Sequence, residues 1–168
     1  MNPKRKYLFF SVFTALSLVL DQWTKALART HLRPLDPHHP KVVIDGFFNL
    51  RYSENTGVAF GMFQTLPGGR FLLTLVALFA FVLVIHYLRK TEANHLRMHA
   101  ALGLVGGGAI GNLIVRIMYG RVTDFIVWHW KEHEWPAFNI ADAALVVGVA
   151  LMALDMLLAP KPAAVKEG

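Results

Sequence analysis

The sequence predicts an all-α membrane protein with four transmembrane helices and a small external β-sheet at the outer membrane interface. The 168-residue chain is 55% hydrophobic and has a mean hydropathy of +0.42, whereas soluble domains are roughly 45–50% apolar. Four apolar segments are each close to the roughly 20 residues that a helix needs to cross a bilayer core; they are residues 7–27, 71–88, 100–119 and 138–158. No intervening stretch has a pattern that would form its own core, so we expect one integral membrane domain spanning residues 1–168.

The first span has a rival interpretation as a cleaved secretory signal. A basic start at residues 4–6 precedes the apolar run, and the small residues at 26–28 resemble a cleavage site. Asp21 and Lys25 would interrupt the region before that cut. We therefore interpret the segment as a transmembrane helix, and three spans would remain in either case.

The distribution of basic residues predicts the orientation. The net charge of +6 could indicate a nucleic-acid partner, but in so apolar a chain Lys and Arg are expected to collect on cytoplasmic loops. Basic residues crowd the N-terminus, the link between spans two and three, and the tail; they are Lys4, Arg5, Lys6, Arg89, Lys90, Arg97, Lys161 and Lys166. This pattern predicts cytoplasmic termini and external regions at residues 29–69 and 120–137.

The first external region has a strand and turn pattern. Residues 41–44 (KVVI) precede an Asp45-Gly46 pair, which is a strong turn signal. Residues 47–52 partly alternate apolar and polar side chains, as a strand with one buried face does. A hairpin or small sheet on the membrane surface is expected here, followed by an interfacial helix or loop at residues 58–63.

The second external region contains three of the four tryptophans, Trp128, Trp130 and Trp135. Tryptophan prefers the membrane–water boundary, where its ring is buried and its N–H remains hydrated. The pattern indicates an aromatic belt. Such a belt would hold Asp124 near the outer interface.

Span three contains Gly103, Gly107 and Gly111 at intervals of four residues. Small residues on one helix face allow close helix contact in lipid. We expect these glycines to serve helix packing, although a glycine face would also admit a substrate backbone.

Ionisable residues inside membrane segments are costly and often mark function. Topology places most of them toward the external ends of their helices; these are Asp21, Lys25, Arg116, Asp124 and Asp142. Asp155 lies at the opposite end of span four, where we expect a solvated or capping residue. Asp21 and Lys25 are four residues apart and can form an ion pair, and in the structural interpretation Lys25 reaches toward the surface.

Asn139 and Asp142 have the spacing of an N-cap residue and its partner three residues later. A capping box would explain both residues without catalysis. Asp142 would nevertheless lie at the depth of Asp124, and two nearby carboxylates in a poorly hydrated site tend to share one proton. Such a pair could hydrolyse a peptide bond through water, with one carboxylate as base and one acid polarising the carbonyl. The residues alone leave the two interpretations balanced.

A metal site is a further alternative, because His129, Glu132 and His133 match the H-x-x-E-H pattern of one zinc-peptidase group. That motif needs a helix, whereas this segment is rich in tryptophan and follows strand-like residues 125–127. We predict no metal and no cofactor. The chain has no cysteine, which excludes thiolate chemistry, and its serines have no adjacent base.

Five stretches together resemble the lipoprotein signal peptidase family, also called signal peptidase II. They cover every span except the second and keep the order and spacing of that family; they are residues 20–25 (LDQWTK), 55–60 (NTGVAF), 107–116 (GGAIGNLIVR), 120–125 (GRVTDF) and 136–142 (PAFNIAD).

The resemblance implies an aspartyl endopeptidase of the bacterial inner membrane, with Asp124 and Asp142 as its catalytic pair near the periplasmic face. Its substrate would be a prolipoprotein whose cysteine already carries diacylglycerol, cut just before that cysteine. Membrane lipid is the implied surrounding, globomycin-type peptides are the implied inhibitors, and no nucleic acid is implied. Further positions match the family as substrate-binding or supporting residues; they are Asp21, Lys25, Asn55, Gly57, Asn112, Arg116 and Asn139.

One position departs from the family pattern, in which an aspartate usually precedes the arginine of span three. Here that position is Val115. The departure predicts that Arg116 lacks a neighbouring carboxylate, and an unpaired buried cation is costly. Asp21 or another acid could compensate. Two other functions stay open, a non-catalytic relative that binds lipopeptide or antibiotic, and a small proton-coupled transporter.

Overall fold

A computed structural model of the chain describes residues 4–35, 38–57 and 69–158. The predicted surface segment at 58–63 and the basic residues of the tail lie outside the described residues. Within them, four helices are long and apolar enough to cross a membrane, as the sequence predicts. They are α1 (Lys4–His31), α2 (Gly69–Lys90), α3 (Leu96–Tyr119) and α4 (Ile140–Leu158).

The helix ends differ from the predicted spans for local reasons. α1 extends beyond residues 7–27 at both ends because a helix can continue past the apolar window that fits the bilayer. α3 ends at Tyr119, where Gly120 adopts a left-handed φ of 73° and donates its backbone N–H to Arg116 O over 2.9 Å. α4 begins two residues later than predicted because the backbone of Phe138 instead pairs with Ile126.

α3 is the central helix and contacts α1, α2 and α4. The predicted packing role of the glycines is confirmed, since a Cβ at Gly103 or Gly107 would overlap α1. A Cβ at Gly111 would come within 2.6 Å of Asp21 Oδ2, so the missing side chain is what allows a carboxylate to lie against α3.

The four-stranded antiparallel sheet has the order β1-β2-β3-β4, with β1 (Lys41–Ile44), β2 (Phe48–Asn55), β3 (Val122–Trp130) and β4 (His133–Glu134). The predicted hairpin is confirmed, and Gly46 in its turn has a φ of 66° that a residue without Cβ adopts at little cost. β3 connects the sheet to the helices, because its first four residues are buried whereas Trp128 and Trp130 are exposed. Apolar side chains such as Phe71 and Phe79 cover the outside of the helices, as lipid contact requires.

Candidate active site

Asp124 lies near the start of β3, opposite Ser53 of β2, and is only 2% exposed. Each of its carboxylate oxygens accepts an amide hydrogen bond. Asn139 Nδ2 donates to Oδ1 over 2.6 Å, and Asn55 Nδ2 donates to Oδ2 over 3.1 Å. The carboxyl group is therefore buried, with one amide donor at each oxygen.

Asp142 lies in the first turn of α4, and the capping box predicted for it is confirmed. Asn139 Oδ1 accepts the backbone N–H of Asp142 over 3.0 Å, while Asp142 Oδ2 accepts the backbone N–H of Asn139 over 3.2 Å. Asp142 Oδ1 accepts a further bond from Asn112 Nδ2 over 2.7 Å. Since Asn139 also contacts Asp124, one residue connects both carboxyl groups, and the capping and catalytic interpretations are compatible.

Burial raises the pKa of Asp124 to about 6, and the nearby Asp142 carboxylate contributes in the same direction. Hydrogen bonds from Asn55 and Asn139 act against this rise because they stabilise the ionised form. Burial and charge repulsion outweigh the amide donors. Asp124 therefore holds its proton much closer to neutral pH than an exposed aspartate does.

Asp21 and Lys25 form the predicted ion pair on α1, with 2.8 Å between Nζ and Oδ2 and neither side chain exposed. The expectation that Lys25 reaches toward the surface is wrong. Its ammonium turns inward and donates to Asn112 Oδ1 over 2.7 Å. Asp21 Oδ1 accepts the backbone N–H of Ala141 over 2.9 Å, which ties α1 to the start of α4.

Arg116 donates from Nη2 to Gly57 O over 3.3 Å, and Gly57 N donates to Asn55 Oδ1 over 2.9 Å. The Arg116 side chain thus contacts the residues that follow β2. Its Nε is buried and has no hydrogen-bond partner within the part of the chain that the structure describes. Asp21 does not compensate for Val115, because its oxygens serve Lys25, Gln22 and Ala141; the acids that act on Arg116 are Asp142 and Asp124.

The structure thus brings together all nine residues that the sequence singles out. It also adds Gln22, whose Nε2 donates to Asp21 Oδ2 and to Gly111 O, each over 2.9 Å. Gln22 belongs to the motif at residues 20–25, so the sequence could have indicated it. Its acceptor at Gly111 becomes evident only from the close approach of α1 and α3. Residues 58–60 of the second motif lie outside the described residues.

The segment that matches H-x-x-E-H is not helical. His129 belongs to β3 and pairs with Glu134, and His133 belongs to β4. His129 Nε2 lies 3.0 Å from Asn49 Nδ2, so that nitrogen already faces a polar partner. Across residues 4–35, 38–57 and 69–158, no group of three or more potential ligands among His, Cys, Asp and Glu is placed to hold a metal.

Asp155 was expected to be solvated or to cap its helix, and this is wrong. It is 5% exposed and lies 2.9 Å from His95 Nε2 and 3.5 Å from Arg97 Nε. It joins the end of α4 to the start of α3. Lys6 on α1 donates to Arg89 O near the end of α2, so the helix ends opposite the two carboxylates are also connected.

Comparisons with known proteins agree with this geometry. A family model described as "Signal peptidase (SPase) II" matches residues 13–158. Three similar curated proteins are each named "Lipoprotein signal peptidase". That of Symbiobacterium thermophilum is 43% identical, over 88% of this chain and 93% of its own length. That of Teredinibacter turnerae is 46% identical over 88% and 86%, and that of Geobacter metallireducens is 41% identical over 92% and 93%.

Two solved structures are similar in fold. A chain described as a bacterial membrane enzyme superimposes with a TM-score of 0.76 at 28% identity, covering 87% of this chain and 85% of the other. A second such structure has a TM-score of 0.75 at 28% identity, with coverage of 89% and 92%.

Proposed function

This chain belongs to the signal peptidase II family, and from that premise we propose that it is an aspartyl endopeptidase that removes the signal peptide from diacylglyceryl-modified prolipoproteins. Asp124 and Asp142 are the proposed catalytic residues, and cleavage falls just before the lipid-modified cysteine. Lipoprotein signal peptidase is the name of its relatives. The aspartyl mechanism and the position of the cut are our inference.

The observation that carries the mechanism is the double role of Asn139. Its side-chain amide donates to Asp124 over 2.6 Å, and its backbone N–H donates to Asp142 over 3.2 Å. A capping box alone needs only the contact with Asp142. The added bond to a buried carboxyl on a different element brings both aspartates to one residue, and a capping box does not explain it.

The chemistry follows from two carboxyl groups that share one proton. The ionised carboxylate removes a proton from water as the water oxygen attacks the scissile carbonyl, and the protonated carboxyl hydrogen-bonds to the carbonyl oxygen. The tetrahedral intermediate then collapses as the leaving nitrogen takes a proton from the dyad. Oxygen from water ends in the new carboxylate, and no covalent acyl-enzyme forms.

The remaining residues have supporting roles in this proposal. Asn55 and Asn112 donate to the two carboxylates. Arg116 donates to the backbone of Gly57 just after β2, and we assign both residues to substrate binding. Asp21 and Lys25 connect α1 to the same site.

The proposed location is the bacterial inner membrane, with cytoplasmic termini and the dyad near the periplasmic face. Two features support it. Lys6, Arg89 and Arg97 lie at the helix ends opposite the dyad, which is the distribution that the positive-inside rule gives. The exposed Trp128, Trp130 and Trp135 lie on the dyad's side. A diacylated substrate in the outer leaflet would meet a site at that depth.

Purified protein incubated with a diacylglyceryl-modified prolipoprotein tests the proposal. We expect a mass loss equal to the signal peptide, and inhibition by globomycin. Asp124→Asn and Asp142→Asn should each fold and show no cleavage. Turnover by either variant would refute the dyad, and binding without cleavage by the unaltered protein would favour the non-catalytic alternative.

A further inference from the structure

A buried cation, Lys25, is separated from the proposed dyad by one side chain, that of Asn112. Lys25 has no exposed side-chain surface and contacts Asp21 and Asn112. Its bond to Asn112 is 2.7 Å long, shorter than the 3.2 Å bond that Asn139 Nδ2 makes to the same oxygen. A hydrogen bond from a charged donor is also roughly twice as strong as one between neutral groups.

An ammonium group has three donors and no acceptor. The group of Asn112 that faces Lys25 must therefore be the carbonyl oxygen, not the amide nitrogen. With Oδ1 held in this way, Nδ2 is directed at Asp142 Oδ1, 2.7 Å away. The chemistry of Lys25 therefore determines the orientation of the Asn112 amide.

The orientation of Asn139 is determined by a different donor. Its Oδ1 accepts the backbone N–H of Asp142 over 3.0 Å, and that group cannot act as an acceptor. Nδ2 must then face Asp124 and Asn112. The orientation of the Asn139 amide therefore does not depend on Lys25, whereas that of the Asn112 amide depends chiefly on it.

We infer that Lys25 is a positioning residue that acts through Asn112. It fixes the amide so that Asn112 donates to Asp142 and supports its carboxylate as the base that activates water. Without Lys25 the Asn112 amide can rotate and direct its carbonyl oxygen at a carboxylate oxygen of Asp142. That contact is favourable only when Asp142 is protonated, and protonated Asp142 cannot act as the base. The ammonium never touches the reacting atoms. This inference rests on the proposed function, because it assumes that Asp142 belongs to the catalytic pair.

The test is a double-mutant cycle between positions 25 and 112. Removing Lys25 alone would leave Asp21 as a buried unpaired charge, so the variant is Asp21→Asn combined with Lys25→Met. The side-chain carbonyl oxygen introduced at position 21 can still accept the backbone N–H of Ala141 that Asp21 now accepts, and neutral replacement of a buried ion pair is often tolerated. The second arm is Asn112→Ala, and the third combines all three substitutions.

Each arm should lower kcat about 10- to 100-fold, the rate equivalent of one hydrogen bond to a charged group, with KM unchanged. The combined variant should lose no more than either arm, because both remove the same donor to Asp142. Phe10→Leu is the packing control. Phe10 lies in the core between α1, α2 and α3, so this variant should lower Tm without a matching loss of kcat.

Losses that multiply, about 100- to 10,000-fold in the combined variant, would overturn the inference and leave Lys25 a structural residue. The same conclusion follows if the loss in the Asp21→Asn/Lys25→Met variant scales with its fall in Tm as in Phe10→Leu. Failure of the proposed function has a different signature, since either the unaltered protein would not cleave or Asp124→Asn and Asp142→Asn would still cleave in the same assay.

Discussion

The energetic cost of holding Asp124 at the site can be measured by replacing it with asparagine. Asparagine resembles the protonated aspartate in shape and has one acceptor and one donor group, but it does not titrate. The substitution should abolish cleavage. At neutral pH it should also remove the cost of burying an ionised carboxylate, a cost that is absent at acid pH.

The magnitude follows from the pKa of Asp124, which burial and Asp142 raise from 3.8 to about 6. Between these values the folded protein keeps a proton that the unfolded chain releases. The stability contributed by Asp124 therefore falls as the pH rises from 3.8 to about 6, and is constant above that. A rise of about two units corresponds to about 3 kcal/mol.

The assay is the free energy of unfolding in detergent micelles at several pH values, measured for the native protein and the Asp124→Asn variant. The stability of the variant relative to the native protein should rise by about 3 kcal/mol between about pH 4 and about pH 6 and stay constant above that. Asp45→Asn is the control, since Asp45 is exposed in the β1–β2 turn, and it should open no such gap. If the difference in unfolding free energy between the two proteins does not change with pH, the raised pKa of Asp124 is refuted.

Three further substitutions test the parts of the site and the opposite end of the bundle. Asn139→Ala should lower kcat by at least about 100-fold in a cleavage assay, because the Asp124 carboxyl loses a donor and α4 loses its cap, at about 1 kcal/mol in unfolding free energy. Gly111→Ala should reduce both Tm and kcat, since its Cβ would lie 2.6 Å from Asp21 Oδ2. Unchanged values for both would show that α1 and α3 can move apart at no cost to the site. Asp155→Asn should cost about 1–2 kcal/mol of unfolding free energy with kcat unaltered, because its partners His95 and Arg97 lie far from the dyad and are partly exposed.

The sequence predicted what depends on local spacing. The capping box follows from three residues of separation between Asn139 and Asp142, and the Asp21–Lys25 pair follows from one helical turn. The Asp45-Gly46 turn is specified by its own residues. In each case the interaction is contained within one short segment.

The sequence did not predict which way the longer side chains turn. Lys25 was expected to extend to the surface, yet a carbonyl oxygen on α3 offers it an acceptor inside the bundle. Asp155 was expected in water, yet His95 just before α3 and Arg97 on α3 partner it. Both outcomes depend on contacts between segments that are far apart in the chain, and neither spacing nor composition reports on those.

The donors at the proposed dyad have a common property that bears on how the proton is shared. Among the residues that the structure describes, the side chains that donate to the two carboxyl groups are neutral amides, those of Asn55, Asn112 and Asn139. A cation bonded directly to either aspartate would favour the ionised form of that group, and the two carboxyl groups could then not exchange their proton freely. Lys25 instead contacts Asp21 directly and reaches Asp142 only through Asn112. Its charge orients the site while the dyad remains free to exchange its proton, which is why we place Lys25 among the positioning residues and not among the catalytic ones.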